Sequence, residues 1–300
     1  MLHDNKELFE QAVLRTSEAF GIEASIVEKD YFVTLFLKEI SKEAPSIIFK
    51  GGTSLSKCHK LIRRFSEDID LNIECDAKPT QGQRKGLKAN IVSIIKRLGL
   101  ELTNPDDVRS NREYNKYIVD FPSVFKSETL KQHLIVETAV YIRAYPTLTM
   151  QASSMIYDYF SQNGLDDLIA EYELAPFELK VQTAERTFVD KVYAVGDYYL
   201  DGKIREHSRH LYDLYKLLEI IKLDDSLKDL ISSVREDRKP HKTCLSVQDG
   251  VNMYKLLDEI IYKDVYKDDY TTITETLLFE PLPYSDALSA LIRIRDSKLF

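Results

Sequence analysis

The segment from Ser66 to Ile73 constrains the fold of this chain more than any other part of the sequence. Apolar and polar residues alternate along it, with Ile69, Leu71 and Ile73 at one set of positions and Asp68, Asp70 and Asn72 at the other. Successive side chains of a β-strand point to opposite faces, so the alternation predicts a strand with an apolar core face and an acidic face. An acidic face beside a core needs a cation as its partner.

A glycine pair, Gly51 and Gly52, precedes this strand and separates an apolar segment from a predicted helix. Glycines allow the backbone to approach a ligand closely, and the N–H groups at a helix start suit a phosphate. Thr53 and Ser54 add hydroxyl donors at the same turn. Two nearby carboxylates suit Mg²⁺, which combines few protein carboxylates with water and substrate phosphates. The turn and the acidic strand together predict a site for a nucleoside triphosphate and Mg²⁺.

Each of these two features has an ordinary alternative when it is taken alone. An Asp-x-Asp pair also occurs on strand faces that only contact water, and a glycine pair before a helix is also typical of a simple turn. Their order along the chain, with the acidic pair fixed on a strand that has an apolar face, favours the functional interpretation.

The rest of the sequence predicts a helix-led α/β (α+β) domain over residues 1–183 and a helical domain over residues 184–300. Predicted helices are 5–20, 23–42, 53–61, 80–99, 185–200, 205–222, 225–236, 248–264 and 284–297, and predicted strands are 46–50, 66–73, 116–124, 133–145 and 177–181. A chain of 300 residues with 44% apolar residues is large enough for two domains with sizeable cores.

Composition excludes several classes of protein. No apolar run reaches the roughly 18 residues of a membrane span, and the polar N-terminal segment is not a secretory signal. The three cysteines, Cys58, Cys75 and Cys244, form no metal-binding spacing and are interpreted as free thiols. These features predict a cytoplasmic protein. The net charge of −8 means that a nucleic acid would have to bind at a local basic patch.

In the motif FKGGTSLSKCHKLIRRFSEDIDL the chain resembles the AbiEii/AbiGii family of abortive-infection nucleotidyltransferase toxins, which includes the mycobacterial MenT toxins. The family belongs to the DNA polymerase β-like nucleotidyltransferase superfamily. The resemblance covers about residues 20–220 and includes the segments EKDY at 28–31, ERTFVDK at 185–191 and SRHLYDL at 208–214. It implies a nucleotidyltransferase core with a mixed sheet, flanking N-terminal helices and a helical C-terminal domain.

The resemblance also implies roles for single residues. Gly51, Gly52, Thr53 and Ser54 would hold the nucleotide phosphates, Asp68 and Asp70 would bind Mg²⁺, Lys191 would contact the triphosphate, and Asp213 would support the site. The sequence alone favours a solvated lysine at position 191, and a surface pair with Arg209 at helical spacing would also explain Asp213. Some relatives carry a second acid where this chain has His210, which leaves the role of the last motif open.

A third carboxylate on a neighbouring strand is usual in polymerase β-like enzymes, where it often acts as a general base. Glu137 is the candidate, since an acid inside an apolar strand needs a metal or another partner, and Asp120 competes with it. The alternative for Glu137 is a glutamate that faces water at a sheet edge.

Ser66 lies two residues before Asp68, and a phosphate on Ser66 would repel the triphosphate. The alternative is that the Ser66 hydroxyl only bonds to nearby backbone.

Basic residues follow the glycine turn, and Arg64 is the one that the family motif also contains. Lys57, Lys60 and Arg63 belong to the same group, which would guide an RNA end or the triphosphate unless it is only a solvated face. The predicted function is Mg²⁺-dependent transfer of a nucleotide from an NTP to an RNA hydroxyl, at the 3′ end of a tRNA.

The resemblance places this activity in the toxin of a type IV-like toxin–antitoxin system, with a cognate antitoxin that need not bind it stably. The sequence leaves two alternatives open: transfer of the nucleotide to a protein hydroxyl, and a nucleotide-binding regulator without turnover.

Overall fold

The computed structural model describes residues 1–66, 68–75, 78–127 and 132–300, and within them seven strands form one mixed sheet. The strands are β1 (Ile47–Lys50), β2 (Asp68–Ile73), β3 (Glu101–Leu102), β4 (Tyr114–Asp120), β5 (His133–Ala139), β6 (Thr147–Ala152) and β7 (Phe177–Gln182). Their order in the sheet is β3-β4-β5-β2-β1-β7-β6. β2 lies at the centre, antiparallel to β1 and parallel to β5, while β4 pairs antiparallel with β5.

Helices precede, interrupt and follow the strands. They are α1 (Lys6–Phe20), α2 (Ala24–Glu43), α3 (Gly51–Lys57), α4 (Gln81–Arg97), α5 (Met155–Gln162), α6 (Asp166–Glu171), α7 (Ala184–Leu200), α8 (Arg209–Leu217), α9 (Lys228–Arg238), α10 (Met253–Tyr262), α11 (Lys267–Asp269), α12 (Glu275–Leu277) and α13 (Tyr284–Ser297). Short 3-10 helices cover Leu2–Asp4, Asp225–Leu227 and Leu245–Val247, and a π-helix covers Tyr270–Thr274.

One face of the sheet carries the core, as the alternation in β2 predicts. Ile69 and Leu71 are fully buried and join a core cluster that also contains Phe32 and Phe36 of α2. Strand residues that are paired across the sheet share a face, so Val136 of β5, which pairs with Ile69, belongs to the same core. The acidic residues of β2 therefore project from the opposite face.

The predicted elements agree with the observed ones best where hydrophobic periodicity is strong, as in α1, α2, β1 and α13. α3 begins at Gly51 and ends at Lys57, whereas the sequence predicts a helix over residues 53–61. β3, β6, α5 and α6 are not predicted. β3 has two residues, and β6 is an edge strand that is exposed at most positions, so neither carries a clear alternating pattern. Glu67, inside the predicted strand 66–73, lies outside the described residues.

The chain divides into two compact units. The first consists of residues 1–59 and 66–181, and the second consists of residues 60–65 and 182–300. The sequence-based division between residues 183 and 184 differs from this one at residues 60–65 and at residues 182 and 183, all of which it leaves in the first domain. In the second unit these residues pair with the chain near α12, since Arg64 forms a β-bridge with Leu278 and the backbone N–H of Phe65 donates to the carbonyl oxygen of Leu277.

Among the described residues, no helix combines the length and the apolar composition that crossing a membrane requires.

Candidate active site

An acidic row lies on the face of the sheet opposite the core. Asp68 and Asp70 of β2 are both half-buried and are separated by the buried Ile69, so their side chains project from the same face. Asp70 pairs in register with Glu137 of β5 on one side and with Lys50 of β1 on the other. Three carboxyl-bearing residues therefore belong to one face of two adjacent parallel strands.

Strand register separates the two candidates for the third carboxylate. Glu137 lies directly beside Asp70, whereas Asp120 pairs with His133, four residues away along β5. Four residues correspond to about 13 Å along a strand, and Asp120 is also one strand further from β2. The register therefore favours Glu137 over Asp120 as the neighbour of Asp70.

The glycine turn lies against the carboxylate of Asp70. Gly51 has a φ of +77°, and a Cβ atom built on it would lie 2.0 Å from Oδ2 of Asp70. A residue with a side chain at position 51 would thus meet two obstacles, a left-handed backbone and a clash with the carboxylate. The absence of a side chain at Gly51 is what allows the turn and the acidic face to be adjacent, as the sequence predicts. Gly52 follows it at the start of α3 and is half-buried.

The two hydroxyls of the turn are used within the protein. Thr53 Oγ1 donates to the carbonyl oxygen of Asp68 at 2.6 Å and lies 3.0 Å from Ser66 Oγ. Ser54 Oγ donates to the carbonyl oxygen of Gly51 at 2.8 Å, and Ser54 is fully buried. These bonds connect α3 to β2 and close the turn. Donation from either hydroxyl to a phosphate, as predicted, would require the present bonds to break.

The predicted set of three metal ligands, Asp68, Asp70 and Glu137, is not assembled. Across the described residues, no group of three or more His, Cys, Asp or Glu side chains is arranged to hold a metal ion. Glu137 instead forms an ion pair with a neighbour on β4, where Lys116 Nζ lies 3.6 Å from its Oε1. Two aspartates on one strand face still fit Mg²⁺, because this ion commonly takes one or two protein carboxylates and completes its shell with water and substrate phosphates.

Tyr114 and Lys116 on β4 are the functional candidates that the sequence did not identify. Lys116 pairs in register with Glu137, and Tyr114 lies two residues away on the same face. The Tyr114 hydroxyl donates a hydrogen bond to Glu137, and the charges of Asp70 and Asp68 also act on it. The predicted strand at 116–124 begins two residues too late, which leaves out Tyr114 and hides its position on the acidic face.

In the second unit, Lys191, Asp213 and Arg64 form a buried ionic network. α7 begins after Thr183, whose side chain accepts from the backbone N–H of Arg186, and the helix carries Lys191. Asp213 is fully buried on α8, and its Oδ2 lies 2.6 Å from Lys191 Nζ. Nε and Nη2 of Arg64 donate to the two carboxylate oxygens of Asp213, each at 2.7 Å. This bidentate geometry is the strong form of an arginine–carboxylate pair.

The network shows how burial and charge compete. Burial acts to raise the pKa of Asp213, but Arg64 and Lys191 outweigh it and hold that pKa far below its usual range. Burial lowers the pKa of Lys191, and the charge of Asp213 counteracts this effect. Asp213 is therefore a carboxylate, and it is the group that makes two buried cations tolerable.

The burial of Arg64 bears on its predicted role. Only 2% of Arg64 is exposed, and its remaining donor Nη1 bonds to the carbonyl oxygen of Phe65. All three donating groups of the guanidinium are thus engaged inside the protein. This position matches neither sequence-based alternative for Arg64, which were guidance of an RNA end or the triphosphate and a solvated face. Lys57 departs from its expectation for the same reason, because it is buried and its Nζ lies 2.6 Å from Asp30 Oδ1.

His210 extends the network at Lys191. Its Nδ1 lies 3.4 Å from Lys191 Nζ, and burial together with the charge of Lys191 lowers the pKa of His210 well below its ordinary value. A neutral imidazole can accept a hydrogen bond from the ammonium group. Beside it, His207 stacks on Tyr198 at a ring distance of 3.5 Å. Position 210, where the sequence resemblance implies an acid in some relatives, is therefore occupied by an uncharged acceptor.

Comparison with known proteins places these features in a family. The family model described as nucleotidyl transferase AbiEii toxin, type IV TA system, matches residues 35–291. No curated protein sequence matches the chain. Among solved structures, the chain is similar to MenT4, a nucleotidyltransferase toxin from Mycobacterium tuberculosis H37Rv, with 16% sequence identity and a TM-score of 0.53. That similarity covers 95% of this chain and 87% of the MenT4 chain, and it confirms the predicted nucleotidyltransferase fold.

Proposed function

Because the chain belongs to the AbiEii family of nucleotidyltransferase toxins of type IV toxin–antitoxin systems, we propose that it transfers a nucleotide from an NTP to an RNA hydroxyl. The family makes a nucleotide the substrate and an antitoxin the partner. The finer statement, that the acceptor is the 3′ end of a tRNA in the cytoplasm, is our proposal from the sequence resemblance. The observation that carries the proposed nucleotide transfer is the close approach of the Asp70 carboxylate to the Gly51 turn on an acidic sheet face.

Asp68 and Asp70 are the residues that would hold Mg²⁺. When bound, this ion neutralises charge on the triphosphate and on the leaving pyrophosphate. The shared face of β2 keeps the two carboxylates on the same side of the strand, and the bond from Thr53 to the carbonyl oxygen of Asp68 fixes the start of that strand. Glu137, in register beside Asp70, would accept the proton of the attacking hydroxyl.

For Lys191, the family resemblance supports the predicted contact with the triphosphate. A lysine suits this task as a point charge. Asp213 and His210 would then hold its ammonium group in place, at 2.6 Å and 3.4 Å respectively. Arg64 acts one step further away, because it binds Asp213, and it is a positioning residue in this proposal.

The proposed reaction is tested by supplying each of the four α-labelled NTPs with Mg²⁺ to the full chain and total RNA. We expect label in RNA that depends on Mg²⁺ and is lost in Asp68→Asn and Asp70→Asn variants. Removing a group that holds charge in the transition state typically costs about 10² to 10³ in rate. Label in added protein in place of RNA would support a protein hydroxyl as acceptor, and NTP binding with no transfer would support a regulator without turnover.

Glu137→Gln and Asp120→Asn form a matched pair for the third carboxylate. We expect Glu137→Gln to lower kcat by about 10² or more, since it loses the proton acceptor, and Asp120→Asn to leave kcat nearly unchanged. Both residues are acids on the same sheet face, but Glu137 lies in register beside Asp70, whereas Asp120 lies on the next strand and pairs with His133. A larger loss in Asp120→Asn than in Glu137→Gln would contradict the assignment.

A further inference from the structure

We propose that Tyr114 is itself a nucleotide acceptor, so that the enzyme attaches a nucleotide to its own Tyr114 hydroxyl when no RNA is present. This proposal rests on the proposed function, because it uses the same acidic face and the same NTP. It adds a modification site and a second product to that function.

The position of Tyr114 is the first support. Tyr114 lies on β4, on the face that carries Lys116, and Lys116 pairs in register with Glu137. Tyr114 is thus the diagonal cross-strand neighbour of Glu137, within reach of an aromatic side chain. Its side chain remains accessible, with 43% of the residue exposed. A bound NTP and the partly exposed Tyr114 side chain can therefore meet on this face without a rearrangement of the core.

The hydrogen bond of Tyr114 is the second support. Its hydroxyl donates to the carboxylate of Glu137, which is also in contact with Lys116 at 3.6 Å. A general base must lie within hydrogen-bonding reach of the proton that it removes. Tyr114 is the diagonal neighbour of Glu137 on the face that also carries Asp70, so its hydroxyl lies on the side of the sheet from which an attacking hydroxyl has to approach the base.

The electrostatics explain why this hydroxyl depends on the site. Burial raises the pKa of Tyr114, and the charges of Glu137, Asp70 and Asp68 raise it further. The phenol is therefore protonated in the free enzyme and is a weak nucleophile. Asp68 and Asp70 would hold the Mg²⁺ that accompanies the NTP, and proton transfer from Tyr114 to Glu137 during attack would remove this obstacle.

The self-modification is a displacement at the α-phosphorus of the NTP. The Tyr114 oxygen forms a bond to the α-phosphorus of the NTP, and the phenolic proton moves to the Glu137 carboxylate. The bond between the α-phosphorus and its bridging oxygen to the β-phosphate breaks, and pyrophosphate leaves with the electron pair. The product is a tyrosine nucleotidyl phosphodiester. Because nucleophile and NTP would be held on one protein, the step has the advantage of an intramolecular reaction.

The experiment supplies the full chain with each α-labelled NTP and Mg²⁺ in the absence of RNA, followed by intact mass and peptide mapping. We expect one nucleotidyl group per chain, located on Tyr114, at a rate per chain that does not change on dilution. Label should fall to background in Tyr114→Phe and in Asp70→Asn. Tyr114→Phe should keep the circular dichroism spectrum and the Tm of the unmodified chain, which shows that its fold is intact.

Tyr145→Phe is the matched control. Tyr145 is also exposed, at 38%, and its hydroxyl donates to a glutamate, Glu74, at 3.0 Å. Glu74, however, lies four residues beyond Asp70 in the sequence and also bonds to Lys180. We expect Tyr145→Phe to self-label like the unmodified chain, because an exposed tyrosine–glutamate pair alone does not make an acceptor.

Two results would overturn this proposal while leaving the proposed function intact. One is transfer to RNA by a chain that never labels itself, and the other is self-labelling that maps to a residue other than Tyr114. Failure to transfer from any NTP to RNA or protein would instead refute the proposed function, and the self-modification with it.

Discussion

The substitution Asp213→Asn should unfold the second unit far more readily than its single-atom change suggests. It removes the negative charge at the centre of a buried network in which Arg64 and Lys191 are 2% and 6% exposed. Breaking one partner of a buried ion pair typically costs about 3–5 kcal/mol, because the remaining charge is left without compensation. Here two cations lose the same carboxylate, so we expect a loss at the upper end of that range.

Chemical denaturation, followed by circular dichroism, measures this loss as a fall in the free energy of unfolding. On heating, the same loss corresponds to a decrease in Tm of roughly 10–20 °C, at about 2–4 °C per kcal/mol. The pH dependence has a defined sign. Since the folded pKa of Asp213 is lowered, its contribution is complete above the unfolded value of about 4 and declines as the pH falls below it. Asp213→Asn should lose less stability than the unmodified chain in that acid range.

Glu280→Gln provides the control for Asp213→Asn. It breaks the adjacent pair between Arg63 and Glu280, whose nitrogen and oxygen lie 2.7 Å apart but whose side chains are 65% and 57% exposed. Exposed pairs contribute about 0–1 kcal/mol, so this variant should remain close to the unmodified chain. If Asp213→Asn and Glu280→Gln destabilised the chain equally, the buried network would contribute no more to stability than a surface ion pair.

Two further predictions use backbone geometry and pH. Gly51→Ala should abolish nucleotide transfer and lower stability, because the new Cβ atom would clash with the Asp70 carboxylate. Gly21 is the control, because it has a similar φ of +64° but no atom lies within 4 Å of a Cβ built on it. Gly21→Ala should therefore show backbone strain only. Transfer assays and Tm values of the two variants test this difference, and equal effects would contradict it. Stability should also fall as the pH drops below 6.5. Burial lowers the pKa of His207 to about 4 and that of His210 well below 6.5. In this pH range the unfolded chain therefore binds protons that the folded chain does not bind, which favours unfolding. His207→Gln and His210→Gln should flatten the pH dependence of Tm between pH 6.5 and 4.5, and an unchanged slope would refute the assignment.

Sequence periodicity is sufficient to predict the acidic strand and its core face, because both follow from local alternation. It does not choose between Glu137 and Asp120, since that choice depends on which residues of β5 pair with β2. Register is a property of strands that are distant in the sequence, so only the folded chain places Glu137 beside Asp70.

The charged residues Arg64 and Lys57 demonstrate a second limit. Both lie in a basic segment that resembles a solvated face, and both are buried because an acid from a distant part of the chain pairs with them. Asp213 follows Arg64 by 149 positions, so no local pattern indicates their contact. The family resemblance identifies Asp213 as relevant, but its partner is visible only in the folded structure.

The excursion of residues 60–65 has a consequence for how this protein can be dissected. A fragment that starts at residue 182 would contain Asp213 and Lys191 but lack the guanidinium of Arg64 and the backbone that pairs with Leu277 and Leu278. In such a fragment, Asp213, Leu277 and Leu278 would lack the contacts that residues 60–65 provide. The helical portion is therefore not an independently folding module. Gene truncation, domain exchange or expression in halves should therefore keep residues 60–65 with the second unit, or supply them as a separate peptide.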